Sequence, residues 1–386
     1  MTYSVSVPPR LVIGGGSLDS IGEVVSGLGA SRPLVVTDGF LAGNGVADRV
    51  KDILASAGLA AEVFSGTVPD PTSVSLDAGV AAVKDHDADA VIGLGGGSPI
   101  DTAKALAVLS VRGGSMHDLK APVKYDGPAL PVIAVPTTAG TGSEATQVTV
   151  ITDTETDEKM MCAGPSYLPK AAVVDHELTH SMPRRLTADT GIDAMTHAVE
   201  AYVSKQRQGF SDAMALQALA TIGTSLRRCV ENGTDVEARA AMMEAATFAG
   251  IAFSNSSVAL VHAMSRPIGG HFHVAHGMAN AMLFPAVTEF SLGMDDDRYA
   301  ACARALGVAG ASETDADAAR LLVDFLKQVS ADFDVPTPES FGIDRDEWFA
   351  KIPLMAQQAI ASGSPANNPR VPSAEEIEAI YAKIYS

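Results

Sequence analysis

The hydrophobic pattern of the chain changes near Pro183, and this change limits the possible folds more than any other feature. Before it, helical segments alternate with apolar runs typical of buried strands, namely PLVVTDG at 33–39, AVIGLGGGS at 90–98, PVIAVPTTAGTGSE at 131–144 and AAVVDHEL at 171–178. Strands that are apolar on both faces indicate a parallel sheet covered by helices on both sides. The sequence therefore predicts an α/β domain over residues 1–183.

After Pro183, apolar residues recur at three- and four-residue spacing. Two examples are SDAMALQALATIGTSLRRCV at 211–230 and DADAARLLVDFLKQVSADF at 315–333. This period is typical of amphipathic helices. We therefore predict an all-helical second domain over residues 184–386, and a chain of 386 residues is long enough for two domains.

Composition narrows the class of protein. An apolar content of 47% with 19% charged residues fits a well-packed enzyme, and a net charge of −19 disfavours nucleic acid and anionic membrane surfaces. The three cysteines form no CxxC motif, and the N-terminus has no basic segment followed by an apolar core. No apolar run approaches the roughly 20 residues that span a bilayer. We expect a cytoplasmic protein without nucleic-acid or membrane partners.

Four potential metal ligands stand out. Asp193 and His197 lie one helical turn apart in GIDAMTHAVEAY, and His262 and His276 follow, fourteen residues from each other. One carboxylate and three imidazoles suit a borderline divalent cation such as Zn²⁺ or Fe²⁺. The chain contains nine histidines, however, and a pair at helical spacing is more often solvated than metal-binding. The spacing alone therefore leaves both interpretations open.

A candidate phosphate loop lies between the strand VIGLG and the helical segment PIDTAKALAVL, and consists of Gly95, Gly96, Gly97 and Ser98. Glycines let the backbone approach a pyrophosphate, and a helix N-terminus offers free N–H groups. Pro99 suits the first helical position, and Ser98 with Asp101 resembles a capping box. The alternative is an ordinary helix start, and the spacing is not the GxGxxG of a Rossmann fingerprint.

Two further segments are candidates for cofactor contacts. Asp38 ends the strand PLVVTD, where a carboxylate can accept hydrogen bonds from ribose hydroxyls and repel a 2′-phosphate, which favours NAD over NADP. The loop PTTAGTGSE at 136–144 could surround a phosphate or the nicotinamide. A solvated turn at Asp38 and a plain Ser/Thr loop remain the alternatives.

Four motifs together carry a family resemblance: GGGSPIDTAK, PTTAGTGSE, GIDAMTHAVEAY and HAMSRPIGGHFHVAHGMANAMLFP, in this order. The chain resembles the iron-containing (group III) alcohol dehydrogenases from PPRLVIGGGSL at the start to NNPRVPSAEEI near the end. The resemblance implies a dehydroquinate synthase-like architecture, with an N-terminal parallel-sheet domain that binds the dinucleotide and an all-helical domain that holds the metal.

The resemblance also implies an activity. The implied activity is that of a metal-dependent, NAD-linked alcohol dehydrogenase or aldehyde reductase, which transfers hydride between nicotinamide and a primary alcohol or an ω-hydroxy acid. The implied metal is Fe²⁺, with Zn²⁺ as the alternative; the implied cofactor is NAD rather than NADP, and the implied assembly is a homodimer or larger homo-oligomer.

By matching positions, the resemblance assigns the individual site residues. The implied metal ligands are Asp193, His197, His262 and His276. The implied cofactor-binding residues are Asp38, Gly95, Gly96, Gly97, Ser98, Thr137, Thr138, Ser143 and Lys159. Asp101, at the helix start after the glycine loop, is included with them as a candidate.

Arg266 departs from the family pattern. Many members have a histidine there, four residues after the third ligand, often assigned to proton relay, and a guanidinium is a poor proton carrier near neutral pH. His271 and His273 are alternative relay groups, or structural residues. We include Arg266 among the catalytic residues on the hypothesis that it pairs with a substrate carboxylate. The competing interpretation is that it points away and pairs with a surface carboxylate.

Other functions on related folds are also considered. A dehydroquinate synthase-like lyase requires a different ligand set and a Lys/Arg cluster, which the second half lacks. A maleylacetate reductase-like enzyme typically has an altered residue at the Asp ligand position, whereas Asp193 is present. A non-catalytic dinucleotide-binding protein has no need of the four-ligand set.

Overall fold

The computed structural model describes residues 2–156 and 158–386, which divide into two compact units. One unit is Ser6–Ser181, and the other is Met182–Ser386 together with a short N-terminal stretch that ends at Val5. No helix in the described part of the chain is long and apolar enough to cross a membrane.

The first unit is built on a sheet of six parallel strands, which are β1 (Arg10–Ile13), β2 (Pro33–Asp38), β3 (Glu62–Thr67), β4 (Ala90–Gly95), β5 (Val132–Pro136) and β8 (Ala171–Val174). A separate antiparallel pair lies between them in sequence, β6 (Val148–Thr152) and β7 (Lys159–Ala163). The order in the large sheet is β1-β8-β5-β4-β2-β3. Gly95 pairs with Pro136, so β4 and β5 end at the same level of the sheet edge.

Helices cover both faces of this sheet. They are α1 (Ile21–Gly27), α2 (Gly39–Gly43), α3 (Val46–Ser56), α4 (Ser75–Asp85) and α5 (Gly97–Arg112). Along β2, Val35 belongs to the core formed with α1 and α3, whereas Leu34 and Val36 belong to the core formed with α4 and α5. Both faces of the strand are buried, as the continuous apolar run predicts.

The structure confirms the four predicted strands and adds strands that the pattern did not indicate. β1 and β3 form the two edges of the sheet, and β3 carries exposed residues along the sequence EVFSGT. An edge strand pairs on one side only and needs no continuous apolar run. The hydrophobic criterion therefore missed both edges.

The second unit is helical, and its described residues contain no strand. Its helices are α6 (Arg184–Val203), α7 (Gly209–Glu231), α8 (Val236–Ser254), α9 (Leu260–Phe272), α10 (His276–Ser291), α11 (Asp296–Ala305), α12 (Asp315–Asp332), α13 (Pro338–Phe341), α14 (Arg345–Ala361) and α15 (Ala374–Lys383). Every residue of α6 from Thr187 onward is buried. A Cβ on Gly191 would lie 2.2 Å from Leu226 Cδ1, so glycine permits the close packing of α6 against α7. The predicted fold class, a parallel-sheet α/β domain followed by an all-helical domain, is confirmed.

Candidate metal centre and dinucleotide loop

Helix α6 presents Asp193 and His197 on one face because their four-residue spacing corresponds to about one helical turn. Both lie in the buried interior of the helical unit, with 2% and 4% of their surface exposed. His197 Nδ1 lies 3.9 Å from Asp193 Oδ1.

Two other helices bring the remaining histidines to this face. His262 lies in the first turn of α9 and His276 is the first residue of α10. A Cβ on Gly277 would lie 2.7 Å from the carbonyl oxygen of Asp189 in α6, so glycine lets α10 begin close to α6. His262 Nε2 and His276 Nε2 lie 3.5 and 3.8 Å from Asp193 Oδ1.

The donor atoms of Asp193, His197, His262 and His276 all lie within 4.8 Å of one another. Burial lowers the pKa of His197 to about 3, so this imidazole is neutral, and its buried Nδ1 has no hydrogen-bond partner among the described residues. Burial raises the pKa of Asp193, but the neighbouring imidazoles outweigh it and hold the pKa below its ordinary value. An ionised carboxylate and an unpartnered imidazole nitrogen in one buried cluster fit a divalent cation.

Glu200 contacts this cluster from behind His262, although the sequence analysis did not identify it. It lies on α6, is 3% exposed, and its Oε2 lies 2.7 Å from His262 Nδ1. Burial lowers the pKa of His262, but Glu200 and Asp193 outweigh burial and raise it to about 9, so a cation at Nε2 competes with a proton. The signal in the sequence was the seven-residue spacing from Asp193, which returns to the same helix face.

Asn280 is a second residue that the sequence analysis missed. It lies one turn after His276 on α10 and is fully buried. Its Nδ2 donates to Asp193 Oδ1 at 2.7 Å and lies 3.1 and 3.2 Å from Nε2 of His262 and His276. The amide therefore contacts three of the four predicted ligands, and the spacing HGMAN indicates this position.

The structure places the predicted proton-relay candidates in different surroundings. Arg266 is half-buried on α9, one turn after His262. Burial lowers the pKa of its guanidinium below the ordinary value, and the Glu200 carboxylate opposes this only in part. His271 Nε2 lies 2.8 Å from Gln358 Oε1, and His273 is exposed where α9 ends. Arg266 thus interacts electrostatically with Glu200, which contacts the candidate ligand His262, while His271 contacts a neighbouring helix.

The predicted phosphate loop forms the turn from β4 into α5. Gly95 has φ +147°, which favours glycine, and a Cβ there would lie 2.5 Å from Pro99 Cγ. The expected capping box is wrong: α5 begins at Gly97, its N-cap Gly96 has no side-chain cap, and Asp101 bonds elsewhere. Pro99 is accordingly the third helical residue rather than the first. The N–H groups at the start of α5 are therefore not bonded to a capping side chain.

The loop after β5 lies directly beside these glycines. The Thr137 N–H donates to the carbonyl oxygen of Gly95 at 2.9 Å. A Cβ on Gly96 would lie 3.4 Å from Thr138 Cγ2. The buried Thr138 Oγ1 has no hydrogen-bond partner in the described part of the chain. Open glycine backbone next to an unpartnered hydroxyl fits a phosphate group.

Two predicted cofactor residues instead bond to each other inside the unit. Ser143 Oγ donates to Asp101 Oδ1 at 2.7 Å, and the Val150 N–H donates to Asp101 Oδ2 at 2.8 Å. Ser143 Oγ also accepts from the fully buried ammonium of Lys104 at 3.1 Å, and Asp101 interacts electrostatically with the same ammonium. These contacts use the polar atoms of Asp101 and Ser143 to join α5 to β6 and to the segment before it.

Asp38 and Lys159 complete the predicted set. Asp38 lies at the end of β2 and its side chain accepts from the Leu41 N–H, which caps α2. Lys159 Nζ forms an ion pair with Asp70 Oδ1 at 2.8 Å, and the Asp70 N–H donates to Ser98 Oγ. Lys159 is thereby linked through Asp70 to the predicted phosphate loop. Asp38 lies at the end of β2, the strand that pairs with β4, from which this loop begins.

Comparison with known proteins gives family matches over both halves of the chain. The model of the iron-containing alcohol dehydrogenase family matches residues 8–176, and that of the Fe-containing alcohol dehydrogenase family, C-terminal, matches residues 187–385.

Individual relatives are similar over most of their length. The NAD-dependent methanol dehydrogenase of Bacillus methanolicus is 36% identical over 97% of each chain. The long-chain-alcohol dehydrogenase 1 of Geobacillus thermodenitrificans (strain NG80-2) is 41% identical over 87% of this chain and 86% of the relative. The solved structure of the alcohol dehydrogenase from Oenococcus oeni matches with a TM-score of 0.95 at 35% identity and covers 100% of both chains.

Proposed function

The chain belongs to the iron-containing alcohol dehydrogenase family and is an oxidoreductase that acts on CH–OH groups; from this premise we propose that it is a metal-dependent dehydrogenase or reductase that transfers hydride between NAD and a primary alcohol or ω-hydroxy acid. The observation that carries the proposal is the convergence of Asp193, His197, His262 and His276 in one cluster, in which three of the four side chains are buried.

We assign the metal to these four residues in the helical domain, 184–386. When bound, a divalent cation supplies Lewis acidity, which favours loss of the alcohol proton and hydride transfer. A set of three imidazoles and one carboxylate accepts both Fe²⁺ and Zn²⁺, and the family name favours Fe²⁺. The half-exposed His276 leaves the cluster accessible on its side, which a substrate oxygen requires.

We assign the dinucleotide to the α/β domain, 1–183. The glycine loop and the first N–H groups of α5 would hold the pyrophosphate, with the Thr138 hydroxyl as an additional donor. The carboxylate of Asp38 supports NAD over NADP because it would repel a 2′-phosphate.

The phosphate loop can be tested with Gly96→Ala. Ordinary φ and a nearest contact of 3.4 Å allow an alanine there to fold without strain, but its methyl group occupies the space proposed for the pyrophosphate. We expect the Kd for NADH to rise about tenfold or more, ~1.4 kcal/mol, with an unchanged unfolding midpoint. Fluorescence titration measures the binding. Gly43→Ala, where no atom lies within 4 Å of the new Cβ, is the matched control and should bind NADH normally.

Arg266 distinguishes between substrate classes. We propose that its guanidinium pairs with the carboxylate of an ω-hydroxy acid. A bidentate guanidinium–carboxylate contact would favour that substrate over a neutral alcohol, which has no carboxylate. Arg266→Ala should lower kcat/KM for 4-hydroxybutyrate about tenfold more than kcat/KM for 1-butanol. Equal losses on both substrates would contradict the carboxylate contact without affecting the dehydrogenase assignment.

The activity itself is tested by NADH formation with anaerobically prepared, Fe²⁺-loaded protein and 1-butanol or 4-hydroxybutyrate. Stable NADH accumulation supports the dehydrogenase. A lyase of the dehydroquinate synthase type uses NAD only transiently and would accumulate none. The expected cytoplasmic location and homo-oligomeric state stay predictions.

A further inference from the structure

We infer that Glu200 is a positioning residue that sets the orientation and tautomer of His262 for metal binding. This inference rests on the proposed metal site. It goes beyond that site because Glu200 lies behind the ligand and its carboxylate contacts the ring nitrogen on the side opposite the cluster.

Three donors converge on this one buried carboxylate. Glu200 Oε2 accepts from the Ala259 N–H at 2.9 Å and lies 2.7 Å from His262 Nδ1, while Oε1 accepts from the Val261 N–H at 2.6 Å. Ala259 is the N-cap of α9 and Val261 is in its first turn. The same side chain therefore fixes both the backbone that carries His262 and the imidazole ring.

The contact at Nδ1 determines which nitrogen faces the cluster. A carboxylate oxygen accepts, so the ring nitrogen that meets it, Nδ1, carries a proton, and Nε2 is left as the nitrogen that a cation would take in place of a second proton. His262 Nε2 is the atom that points towards Asp193, at 3.5 Å from its Oδ1. A carboxylate that fixes the tautomer of a metal-binding histidine also raises its basicity as a ligand.

Stacking restrains the plane of the His262 ring. His197 stacks on His262 with centroids 4.4 Å apart, and Phe253 stacks on His197 at 4.3 Å. Stacking limits tilting of the rings but allows rotation within the plane. The hydrogen bond to Glu200 supplies the missing restraint on that rotation.

A simple helix-capping role is the competing explanation, because two of the three donors are backbone N–H groups of α9. Glu200→Gln separates the two roles. Glutamine has the same shape but carries no carboxylate, so His262 Nδ1 loses its carboxylate partner in either orientation of the amide, whereas a backbone N–H can still be capped by the remaining amide oxygen.

The matched control is Tyr381→Phe. The Tyr381 hydroxyl donates to the carbonyl oxygen of Met264 in α9 at 2.6 Å, and Tyr381 is fully buried. This variant removes a buried hydrogen bond to the same helix without touching a predicted ligand. It should lower the unfolding midpoint and leave metal affinity unchanged.

The experiment measures the Kd of the full-length protein for Zn²⁺ and Co²⁺ by chelator competition, together with the visible spectrum of the Co²⁺ form. For Glu200→Gln we expect a Kd raised about 10- to 100-fold and an altered Co²⁺ spectrum. Wild-type affinity and spectrum in Glu200→Gln, with a stability loss like that of Tyr381→Phe, would overturn the inference and leave Glu200 as a helix cap. If the wild-type protein itself binds neither metal, the proposed metal site fails instead.

A measurement on the wild-type protein applies if Glu200→Gln does not fold. Proton NMR of the Co²⁺ form should contain a shifted, exchangeable Nδ1–H signal that persists in D₂O, because His262 Nδ1–H is buried against Glu200. Rapid exchange of all such signals would contradict the tautomer assignment.

Discussion

Replacement of His276 by alanine is expected to lower kcat/KM for a primary alcohol by about 1000-fold or more, ~4 kcal/mol of transition-state stabilisation. His276 supplies one of the four donors of the candidate metal centre. With 36% of its side chain exposed at the start of α10, it can be removed with little damage to the helical core. Three donors remain, and we expect metal content and NADH formation to fall together.

His180→Ala is the matched control because His180 is exposed in the α/β unit. Its metal content and activity should stay within about twofold of the wild-type values. Chelation should inactivate the wild-type protein and added Fe²⁺ should restore it, whereas Fe²⁺ should not restore His276→Ala. A His276→Ala protein that keeps a full complement of metal and near-normal kcat/KM would contradict the ligand assignment.

Replacement of Lys104 by methionine is expected to reduce the free energy of unfolding by about 3–5 kcal/mol. Lys104 has no exposed surface, and its ammonium lies 2.7–3.1 Å from five oxygen atoms of Ser143, Thr146 and Val148. Burial lowers the pKa of Lys104 to about 8, although the carboxylates of Asp101 and Glu144 raise it.

The size of this effect follows from the groups that would remain. Methionine fills most of the volume but donates no hydrogen bond, so buried carbonyl oxygens and the carboxylate of Asp101 would lose their cation. Guanidinium chloride unfolding measures the change. Lys84→Met, at an exposed position of α4, is the control and should change stability by less than about 0.5 kcal/mol. A loss below about 1 kcal/mol in Lys104→Met would mean that the network contributes little.

Much of the fold was predictable because its signals are local. The strands at 33–38, 90–95, 132–136 and 171–174 are continuous apolar runs, and a buried strand needs no information from the rest of the chain to show that pattern. An edge strand such as β3 cannot be predicted in this way, because its sequence is not a continuous apolar run. It is identified by its hydrogen-bonded pairing with β2, which only the tertiary structure shows.

The candidate metal centre was predictable to a similar degree. That Asp193 and His197 share one helix face follows from helical periodicity alone, because the geometry of one helix turn is the same in every protein. His262 and His276 were candidates by residue type, and the family resemblance is what assigned all four residues to one centre. Glu200 and Asn280 were missed, because helical spacing indicates only which face they occupy and packing decides which ligand atoms they contact.

The sequence by itself thus determined the four interior strands of the sheet, the helical nature of the second half, and the placement of Asp193 and His197 on one helix face. The tertiary structure alone decided the partners of the buried polar groups. Asp101 is the clearest case: the sequence predicted a helix cap with Ser98, but its carboxylate bonds to Ser143 and to the Val150 N–H. The physical reason is that periodicity is set by neighbouring residues, whereas a buried charge bonds to whichever donors packing brings within about 3 Å, and here these lie 42 and 49 residues away along the chain.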